Sequence, residues 1–416
     1  MSGPRIARIR AWEVLDSRGR PTVAARCELT NGIAVKASVP GGASTGRHEA
    51  HELRDGDRSR YRGYGVQRAV ANVNDQIAPA LAGMAPEQGT IDARLIELDG
   101  TADKSRLGAN ALLAVSCVVA RARAAVDGVP LWQSLAGDRP ARMPLPIVNI
   151  LSGGLHAGRN IEFQDFLVMP HGIAGYAEQL QAIVAIHQAA YEVLQQKGCV
   201  LTGVADEGGW GPLLPSNEAA LQVLTEAIGQ AGYAAGSQIS IALDVAASHF
   251  FRNGVYHLDH EQRSLSAEGM SNLLEDWCAR YVIHSIEDGL AEDDWTGWRL
   301  LTERLGARVQ LVGDDLFTTN LARLNRGIAE GVANAVLVKM NQIGTLTDTF
   351  AVIDRAREAG YNAVISARSG ETEDDFLADL AVASGAGSIK VGSITRSERL
   401  AKYNRLLEIQ HELAGA

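Results

Sequence analysis

Short apolar segments, each ending in a polar residue, recur at a regular interval through the second half of the chain. They span residues 239–244, 282–287, 309–314, 335–339, 363–366 and 388–390. The last five end at Glu287, Asp314, Lys339, Ser366 and Lys390, which are spaced 27, 25, 27 and 24 residues apart. Helical patterns fill the gaps, as in residues 346–359 and 376–383. This alternation predicts βα units around a parallel sheet, an α/β barrel whose strand ends share one mouth.

The N-terminal part of the chain has a different pattern. Residues 5–13, 22–29 and 33–39 are strand-like, and Asn31-Gly32 is a hairpin turn signal, so a three-stranded meander is expected. Residues 109–126 are apolar enough for a buried helix. The polar run at residues 137–140 then precedes a new apolar strand. We therefore predict an α+β domain over residues 1–138 and a barrel domain over residues 139–416.

Length and composition agree with this division. The 416 residues suit a barrel of roughly 250 residues plus a smaller domain. A formal net charge of −10 argues against nucleic acid as a partner. Residues 1–10 lack a signal-peptide pattern, and no apolar run is long enough to cross a membrane. We expect a cytoplasmic protein without a membrane partner, whose four cysteines, none in a CxxC spacing, are reduced thiols.

Three of the strand-terminal residues are carboxylates, namely Asp244, Glu287 and Asp314. If they meet at one mouth without a counter-charge, they repel and raise one another's pKa. A divalent cation removes the conflict, and all-oxygen ligation suits Mg²⁺, with Mn²⁺ as a substitute. Separate salt bridges on different loops are the alternative explanation.

Two lysines, Lys339 and Lys390, end strands of the same predicted barrel. Two ammonium groups held close together lower each other's pKa, and partial burial adds to that effect. A lysine tuned in this way can act as a base near neutral pH. The alternative is that both lysines are structural ion-pair partners.

Eight segments occur together, in order, that resemble the enolase family. They are DSRG at 16–19, GASTG at 42–46, ELRDGD at 52–57, DEGG at 206–209, SIEDG at 285–289, GDDL at 313–316, KMNQIG at 339–344 and VISARSGETED at 364–374. Each is weak alone, but the ordered set, within a match from about residue 5 to residue 405, is specific. The resemblance implies a (β/α)8 enolase-type TIM barrel with an α+β N-terminal capping domain.

The resemblance also implies which residues handle the metal and the proton at C2 of the substrate. Asp244, Glu287 and Asp314 would hold a first Mg²⁺ that binds the substrate carboxylate. Ser44 would help to hold a second Mg²⁺ when its loop closes, so one or two ions are expected. Lys339 would remove the C2 proton. A lysine base used together with magnesium is the general pattern of the enolase superfamily, so this assignment recognises a known pattern.

The remaining implied roles concern the substrate carboxylate, the phosphate and the leaving hydroxyl. Lys390 would neutralise the carboxylate. Arg368 and Ser369 would bind the phosphate, a bidentate contact that suits arginine. Glu207 would deliver a proton to the departing C3 hydroxyl, with His156 nearby.

The sequence departs from the enolase pattern on the side that handles the leaving hydroxyl. Asp165 stands where the family has Glu, and Ala367 stands where it has His. Loss of one preorganised polar contact at a reaction centre lowers the rate by roughly 10²–10³-fold, so ordinary dehydration should be impaired. Ala367 also frees about an imidazole's volume for another substrate. Gly41 replaces a family Ser. His249 replaces a common Glu, and we interpret it as a surface or outer-layer change and not as a metal ligand.

Three functions remain open from the sequence. The first is an enolase-type lyase that interconverts 2-phosphoglycerate and phosphoenolpyruvate. The second is a paralogue of phosphonate metabolism, such as a carboxyphosphonoenolpyruvate synthase, which acts on a related phosphorylated or phosphonylated acid. The third is a non-catalytic binding or structural relative, which the retained carboxylates and lysines argue against. The family also implies a homodimer or a higher homo-oligomer.

Overall fold

The computed structural model describes residues 3–42 and 46–415. Ser44, expected to help hold a second metal ion, lies outside the described residues. The chain begins with the strands β1 (Ile6–Leu15), β2 (Pro21–Leu29) and β3 (Ala34–Ser38), which pair antiparallel in that order. The predicted three-stranded meander is confirmed, with bounds that differ by one or two residues.

A helical layer packs against this sheet. It consists of α1 (Gln67–Asn72), which continues through a π turn (Val73–Ile77) into α2 (Ala78–Leu81), then α3 (Gln88–Asp99), α4 (Ala109–Asp127) and α5 (Leu131–Ala136). Helix α4 alone among the described helices is long and apolar enough to span a membrane. Its most apolar window is 78% buried inside the fold, which makes α4 a core helix.

The later strands are more numerous and shorter. They are β4 (Leu145–Ser152), β5 (Asp165–Met169), β6 (Ser240–Asp244), β7 (Phe251–Arg252), β8 (Val255–Leu258), β9 (Arg263–Leu265), β10 (Ile283–Glu287), β11 (Gln310–Gly313), β12 (Ala335–Val338), β13 (Asn362–Ser366) and β14 (Ser388–Gly392). Strands β7 to β9 form a small separate sheet, which the sequence analysis did not predict. The other eight close into a barrel, so the predicted TIM-type barrel is confirmed.

One strand of the barrel runs against the others. Strand β5 pairs antiparallel with both β4 and β6, whereas the remaining barrel pairs are parallel. Its first residue, Asp165, therefore pairs with Asp244 at the last position of β6. The reversal brings an N-terminal strand end to the mouth that the other strands reach with their C-terminal ends.

Helices surround the barrel. They are α6 (Tyr176–Gln196), α7 (Asn217–Gln230), α8 (Ala267–Arg280), α9 (Trp295–Leu305), α10 (Leu321–Glu330), α11 (Leu346–Glu358), α12 (Phe376–Ser384) and α13 (Ser397–Ala414). Side chains of Ser216, Ser266 and Asp294 accept backbone N–H bonds at three of the helix starts. Such caps satisfy donors that a helix leaves unpaired at its N-terminus.

The barrel interior is divided into an apolar and a polar part. Eight buried apolar side chains form one cluster inside it, namely Ile147, Leu167, Met169, Ala242, Val312, Ala335, Leu337 and Val364. The polar residues that end the strands lie beyond this cluster, at the mouth. The four cysteines are free thiols, as expected, with Cys27 and Cys117 buried.

The N-terminal sheet is joined to the barrel beside the mouth. The backbone N–H groups of Gly41 and Gly370 donate to each other's carbonyls, at 2.8 and 3.1 Å. The N–H of Ser17 donates to the Glu371 carbonyl at 2.7 Å. These bonds anchor the chain that carries Arg368 and Ser369 to the first domain.

We expect Gly370→Ala to weaken this junction. A Cβ at position 370 would lie 2.5 Å from both Asp16 Oδ2 and the Gly41 carbonyl oxygen, so the backbone must move. Overpacking of this kind costs about 1–3 kcal/mol, measurable as a lower free energy of unfolding in urea. Gly89→Ala is the control, because nothing lies within 4 Å of its new Cβ and it sits in a helix. Equal stabilities for the two variants would contradict the proposed packing.

Candidate active site

A polar cavity of about 590 Å³ opens at the barrel mouth. It is lined by Glu49, His156, Gln164, Glu207, Asp244, Ala246, His249, Asp288, Asp314, Asp315, Lys339, Ser366, Ala367, Arg368, Ser369, Lys390, Val391 and Gly392. Residues from β6, β13 and β14 and from the turns after β11 and β12 contribute to it, as expected for strand ends of one barrel. Nine of the twelve site residues predicted from the sequence line this cavity. Glu287 and Asp165 do not line it but contact Lys390 and His156, which do.

The carboxylates of Asp244 and Glu287 share the ammonium group of Lys390. Its Nζ lies 2.7 Å from Asp244 Oδ2, and 2.8 and 2.7 Å from the two oxygens of Glu287. All three side chains are at most 8% exposed. Gln164 adds a hydrogen bond from Nε2 to Asp244 Oδ2, at 3.1 Å. The position between the two carboxylates therefore attracts positive charge.

The third carboxylate, Asp314, pairs with the other lysine. Lys339 Nζ lies 2.5 Å from Asp314 Oδ2. Burial lowers the pKa of Lys339, but the adjacent Asp314 carboxylate outweighs burial and leaves the pKa above its ordinary value. The pKa of Lys390 is also raised, since Asp244 and Glu287 together outweigh its burial. The prediction that proximity lowers the lysine pKa values is thus wrong for this arrangement, because each ammonium group has carboxylate partners.

Negative charge exceeds positive charge around the cavity. Six of the lining residues are carboxylates, against three lysine and arginine side chains. Burial, followed by repulsion from Asp314, raises the pKa of Asp315 to about 7. Burial and repulsion from Asp244 likewise raise the pKa of Glu287. Raised carboxylate pKa values of this kind indicate that the cluster has too few cations to balance its negative charge.

The donor chemistry of this cluster fits Mg²⁺. Oxygen ligands from Asp288, Asp314 and Asp315 lie within 4.8 Å of one another. Asp244 and Glu287 already surround a cationic group. Hard carboxylate oxygens are the ligands that Mg²⁺ prefers. Of the three ligands predicted from the sequence, Asp314 belongs to this group, and the assignment of Asp244 and Glu287 stays a prediction. Asp288 also fixes the backbone by accepting from the N–H groups of Asp314 and Asp315.

Arg368 faces the cavity from the turn after β13. Its Nη1 donates to Glu49 Oε2 and to Asn341 Oδ1, each at 3.0 Å. The side chains of Arg368 and Glu49 are 5% and 6% exposed. The sequence analysis did not identify Glu49, although it follows closely the GASTG segment that marked the loop. Sequence offered no signal that this carboxylate meets an arginine 319 residues away.

A buried arginine shapes the turn that carries Arg368 and Ser369. Arg399, which is fully buried, donates to the carbonyls of Arg368, Ser369 and Val391 at 2.6, 2.7 and 3.0 Å. Ser369 Oγ accepts from Arg18 at 3.4 Å. Both predicted phosphate-binding residues thus lie at the cavity on a backbone that Arg399 holds in place.

The predicted leaving-group residues form a chain of hydrogen bonds and charges. His156 Nδ1 lies 3.0 Å from Asp165 Oδ2, and His156 Nε2 lies 3.6 Å from Glu207 Oε1. Asp165 is fully buried and its other oxygen accepts from Asn149 Nδ2 at 2.5 Å and from Ser152 Oγ at 3.1 Å. The shorter Asp side chain is therefore fully partnered at this position.

The three titratable groups of this chain shift one another's pKa values, and burial raises the pKa of Asp165. Burial lowers the pKa of His156, but the carboxylates of Asp165 and Glu207 outweigh it and raise the pKa to about 9. Burial raises the pKa of Glu207, but His156 and Arg399 reverse that effect and bring the pKa below its ordinary value. These directions favour an ionised Glu207 beside a charged His156, whereas the sequence analysis expected the proton on Glu207.

The two remaining departures from the enolase pattern also lie at the cavity. Ala367 lines it, and its N–H donates to the Lys390 carbonyl at 2.9 Å, which fixes the backbone where the family histidine would stand. His249 lines the same cavity and is half-buried. The prediction that His249 is a surface or outer-layer change and not a metal ligand stays a prediction.

We expect His156 to titrate near pH 9 and Asp165→Asn to lower its pKa, because the variant removes the strongest charge that favours the imidazolium. Its pKa lies above the ordinary 6.5, so this interaction stabilises the fold fully below about pH 6.5 and is lost as the pH rises through about 9. NMR titration of labelled histidines measures the His156 pKa in the wild type and in the variant. His187, whose pKa burial lowers, is the internal control. A His156 midpoint near 6.5 in both proteins would contradict the assignment.

Two protein-family models cover nearly the whole chain. The model described as the enolase N-terminal domain matches residues 6–135. The model described as the enolase C-terminal TIM barrel domain matches residues 140–416. The barrel, the acidic cluster and the two lysines described above are consistent with both matches. The chain belongs to the enolase family.

Proposed function

We propose that this protein is a Mg²⁺-dependent enolase-type hydro-lyase that acts on 2-phosphoglycerate and phosphoenolpyruvate or on a close analogue. The observation that carries the proposal is the convergence of two lysines, three carboxylates and one arginine on a single cavity. A proton next to a carboxylate is very weakly acidic, so its removal requires strong stabilisation of the dianion that forms. The cations on one side of the cavity would stabilise the dianion, and a base on the other side would remove the proton.

Lys339 is the proposed base at C2. An amine must be unprotonated to accept a proton, whereas Asp314 at 2.5 Å favours the ammonium form. Mg²⁺ held by Asp244, Glu287 and Asp314 would draw the Asp314 charge away from Lys339 and stabilise the negative charge on the substrate carboxylate. Lys390 remains protonated between its carboxylates and neutralises the same substrate group.

Arg368 and Ser369 are the proposed phosphate site. Arg368 is held by Glu49 and Asn341, so its guanidinium is oriented before substrate arrives. Its pKa is raised because the Glu49 carboxylate outweighs the effect of burial, which keeps it cationic. A planar cation fixed in this way can bind a phosphate through two parallel hydrogen bonds.

The departing C3 hydroxyl would take its proton from the His156 and Glu207 pair. His156 holds the proton, and Glu207 lies 3.6 Å from its Nε2. Transfer from the imidazolium through the Glu207 carboxylate gives the hydroxyl a route to leave as water. Asp165 orients the imidazole from its other side.

A paralogue that acts on a related phosphorylated or phosphonylated acid is the second candidate. Ala367 lines the cavity and leaves the space that an imidazole would fill. Such a change alters the leaving-group end and leaves the proposed metal, base and phosphate residues in place. A purely non-catalytic relative is disfavoured, because a decayed site has no reason to retain buried lysines with carboxylate partners.

As a lyase of glycolytic type, the protein would be a cytoplasmic homodimer or higher homo-oligomer. This part of the proposal comes from the family resemblance alone.

We expect the wild-type protein to exchange the C2 proton of 2-phosphoglycerate with D₂O faster than it forms phosphoenolpyruvate, since only the leaving-group end is altered. NMR follows the exchange, and ultraviolet absorbance follows the enol product. Lys339→Met should lower both rates by about 10²-fold or more, because it removes the base. Lys197→Met, at an exposed lysine paired with Glu226, is the control. Equal exchange in wild type and Lys339→Met would refute the base assignment.

In the same assay, the double variant Ala367→His with Asp165→Glu should raise dehydration by up to about 10² to 10³-fold. Exchange at C2 should change little, because Lys339 is untouched. An unchanged dehydration rate would argue against a substrate change built on these two positions.

We expect Mg²⁺ to stabilise the fold in proportion to its binding. At a concentration a hundredfold above Kd, the gain is about 2.7 kcal/mol, measurable as a higher unfolding temperature. Asp244→Asn should remove most of the gain, because it takes away one ligand charge. Asp348→Asn, which changes a carboxylate paired with Lys104, should keep it. Full stabilisation of Asp244→Asn by Mg²⁺ would place the metal elsewhere.

A further inference from the structure

Arg399 is a buried cation that lacks a closely paired carboxylate. It is the third residue of α13 and is fully buried. In the described parts of the chain its Nε has no hydrogen-bond acceptor, and the carboxylate that lies beside it, that of Glu398, is 3.6 Å away. By contrast, Arg405 on the same helix pairs with three carboxylates at 2.8 to 3.1 Å. Burial of a charge without close pairing costs stability, so ion pairing alone does not explain Arg399.

The guanidinium group holds the phosphate-binding turn from behind. Its Nη1 donates to the carbonyls of Arg368 and Val391 at 2.6 and 3.0 Å, and its Nη2 donates to the Ser369 carbonyl at 2.7 Å. Arg368 and Ser369 line the cavity, whereas Arg399 is not among the described residues that line it. Two nitrogens of one rigid plane thus fix two successive carbonyls of the turn relative to strand β14.

The stem of the same side chain packs beside Glu207. Gly392, the last residue of β14, has φ of +109°. A Cβ at this position would lie 3.1 Å from Arg399 Cδ and 3.2 Å from Glu207 Cβ, so both side chains pack over the one glycine. The N–H of Ser393 donates to the Glu207 carbonyl at 2.9 Å. Arg399 therefore contacts the structure at the leaving-group end of the cavity as well as at the phosphate end.

The charge of Arg399 acts on the Glu207 carboxylate. Burial raises the pKa of Glu207, and His156 followed by Arg399 brings that pKa below its ordinary value. The other titratable groups that interact with Glu207 are Asp165, Lys339, Lys390 and Tyr403. His156 and the two lysines line the cavity, where a ligand changes their surroundings. Arg399 lies behind the wall, so its charge beside Glu207 stays the same when a ligand binds.

We propose that Arg399 is a positioning residue, which fixes the spacing between the phosphate-binding turn and Glu207 and supplies a constant positive charge beside that carboxylate. The inference rests on the proposed function, since it concerns the phosphate and the C3 hydroxyl of the same substrate. These two groups are on adjacent carbons, so the phosphate site and the acid must be held at a fixed separation to act on both at once. One side chain that bonds to the turn and packs against Glu207 meets that requirement.

Two variants separate the two parts of this role. Arg399→Lys keeps the charge but offers one nitrogen where two now donate, so the turn loses part of its support. Arg399→Gln removes the charge as well. Arg405→Gln is the matched control, because it removes a cation from the same helix whose carboxylate partners do not line the cavity.

The first measurement is the affinity for 2-phospholactate, an acid that lacks the C3 hydroxyl and cannot be dehydrated. Calorimetric titration of the full-length protein is done in saturating Mg²⁺. We expect both Arg399 variants to bind about tenfold more weakly than the wild type, as the loss of one charge-assisted hydrogen-bonded contact gives. Arg405→Gln should bind like the wild type. Unchanged affinity in Arg399→Lys would overturn the inference, and this variant decides the matter even if Arg399→Gln does not fold.

The second measurement is the titration of Glu207, followed by NMR of isotope-labelled glutamate carboxyl groups and assigned with Glu207→Gln. Because Arg399 lowers the pKa of Glu207, its removal in Arg399→Gln should move the Glu207 midpoint to higher pH. Arg399→Lys and Arg405→Gln should keep the wild-type midpoint. A purely structural role would lower the unfolding temperature of all three variants without this difference between them. Equal midpoints in the wild type and Arg399→Gln would therefore count against the positioning role.

The outcomes distinguish this inference from the proposed function. The Glu207 titration needs no substrate, so its result does not depend on the reaction. If the wild type exchanges the C2 proton of 2-phosphoglycerate but Arg399→Lys binds 2-phospholactate as tightly as the wild type, only the inference is overturned. If the wild type does not bind 2-phospholactate in saturating Mg²⁺, the proposed function fails and the spacing role fails with it.

Discussion

The surplus of buried carboxylates at the barrel mouth is the constraint on which the rest of the site depends. A buried carboxylate keeps its charge only if cations or hydrogen-bond donors lie beside it. Lys390 serves Asp244 and Glu287, and Lys339 serves Asp314, yet the pKa of Glu287 and Asp315 stays raised. The acidic cluster could therefore hold a divalent ion. Under the proposed function, such an ion beside Asp314 would also decide whether Lys339 acts as an acid or as a base, so metal binding and proton abstraction would be coupled through Asp314.

Much of the barrel could be predicted from the sequence because its strands are short, apolar and terminated by polar residues. Strands β6 and β10 to β14 were each found within one or two residues of their bounds. Strand β5 was not found, since it follows β4 without an intervening helix and breaks the βα rhythm. The direction of a strand cannot be predicted from four apolar residues that follow an aspartate. Asp165 could be identified as a site residue only by resemblance, because its place at the mouth depends on that reversed strand.

The sequence could predict which residues gather at the cavity but not which of them pair with one another. Charge pairing depends on distances between residues that are far apart in sequence, as with Glu49 and Arg368 or Lys390 and Asp244. Two nearby lysines suggested lowered pKa values, yet each pKa is raised because a carboxylate lies closer to each ammonium group than the sequence could indicate. The place of His249 at the cavity could not be predicted for the same reason, since it depends on a turn of four residues.

The two substitutions at the leaving-group end, Asp165 and Ala367, concern the same proton transfer. Asp165 is one methylene shorter than the family Glu, but it meets His156 at 3.0 Å and is satisfied by Asn149 and Ser152. Alanine at position 367 removes the imidazole that the family has there, while His156 lies 3.6 Å from the Glu207 carboxylate. Under the proposed function, His156 would carry the proton and Glu207 would be its ionised partner. An imidazolium with a pKa near 9 is a weaker acid than a protonated carboxyl group, so it suits a leaving group whose departure the substrate itself assists.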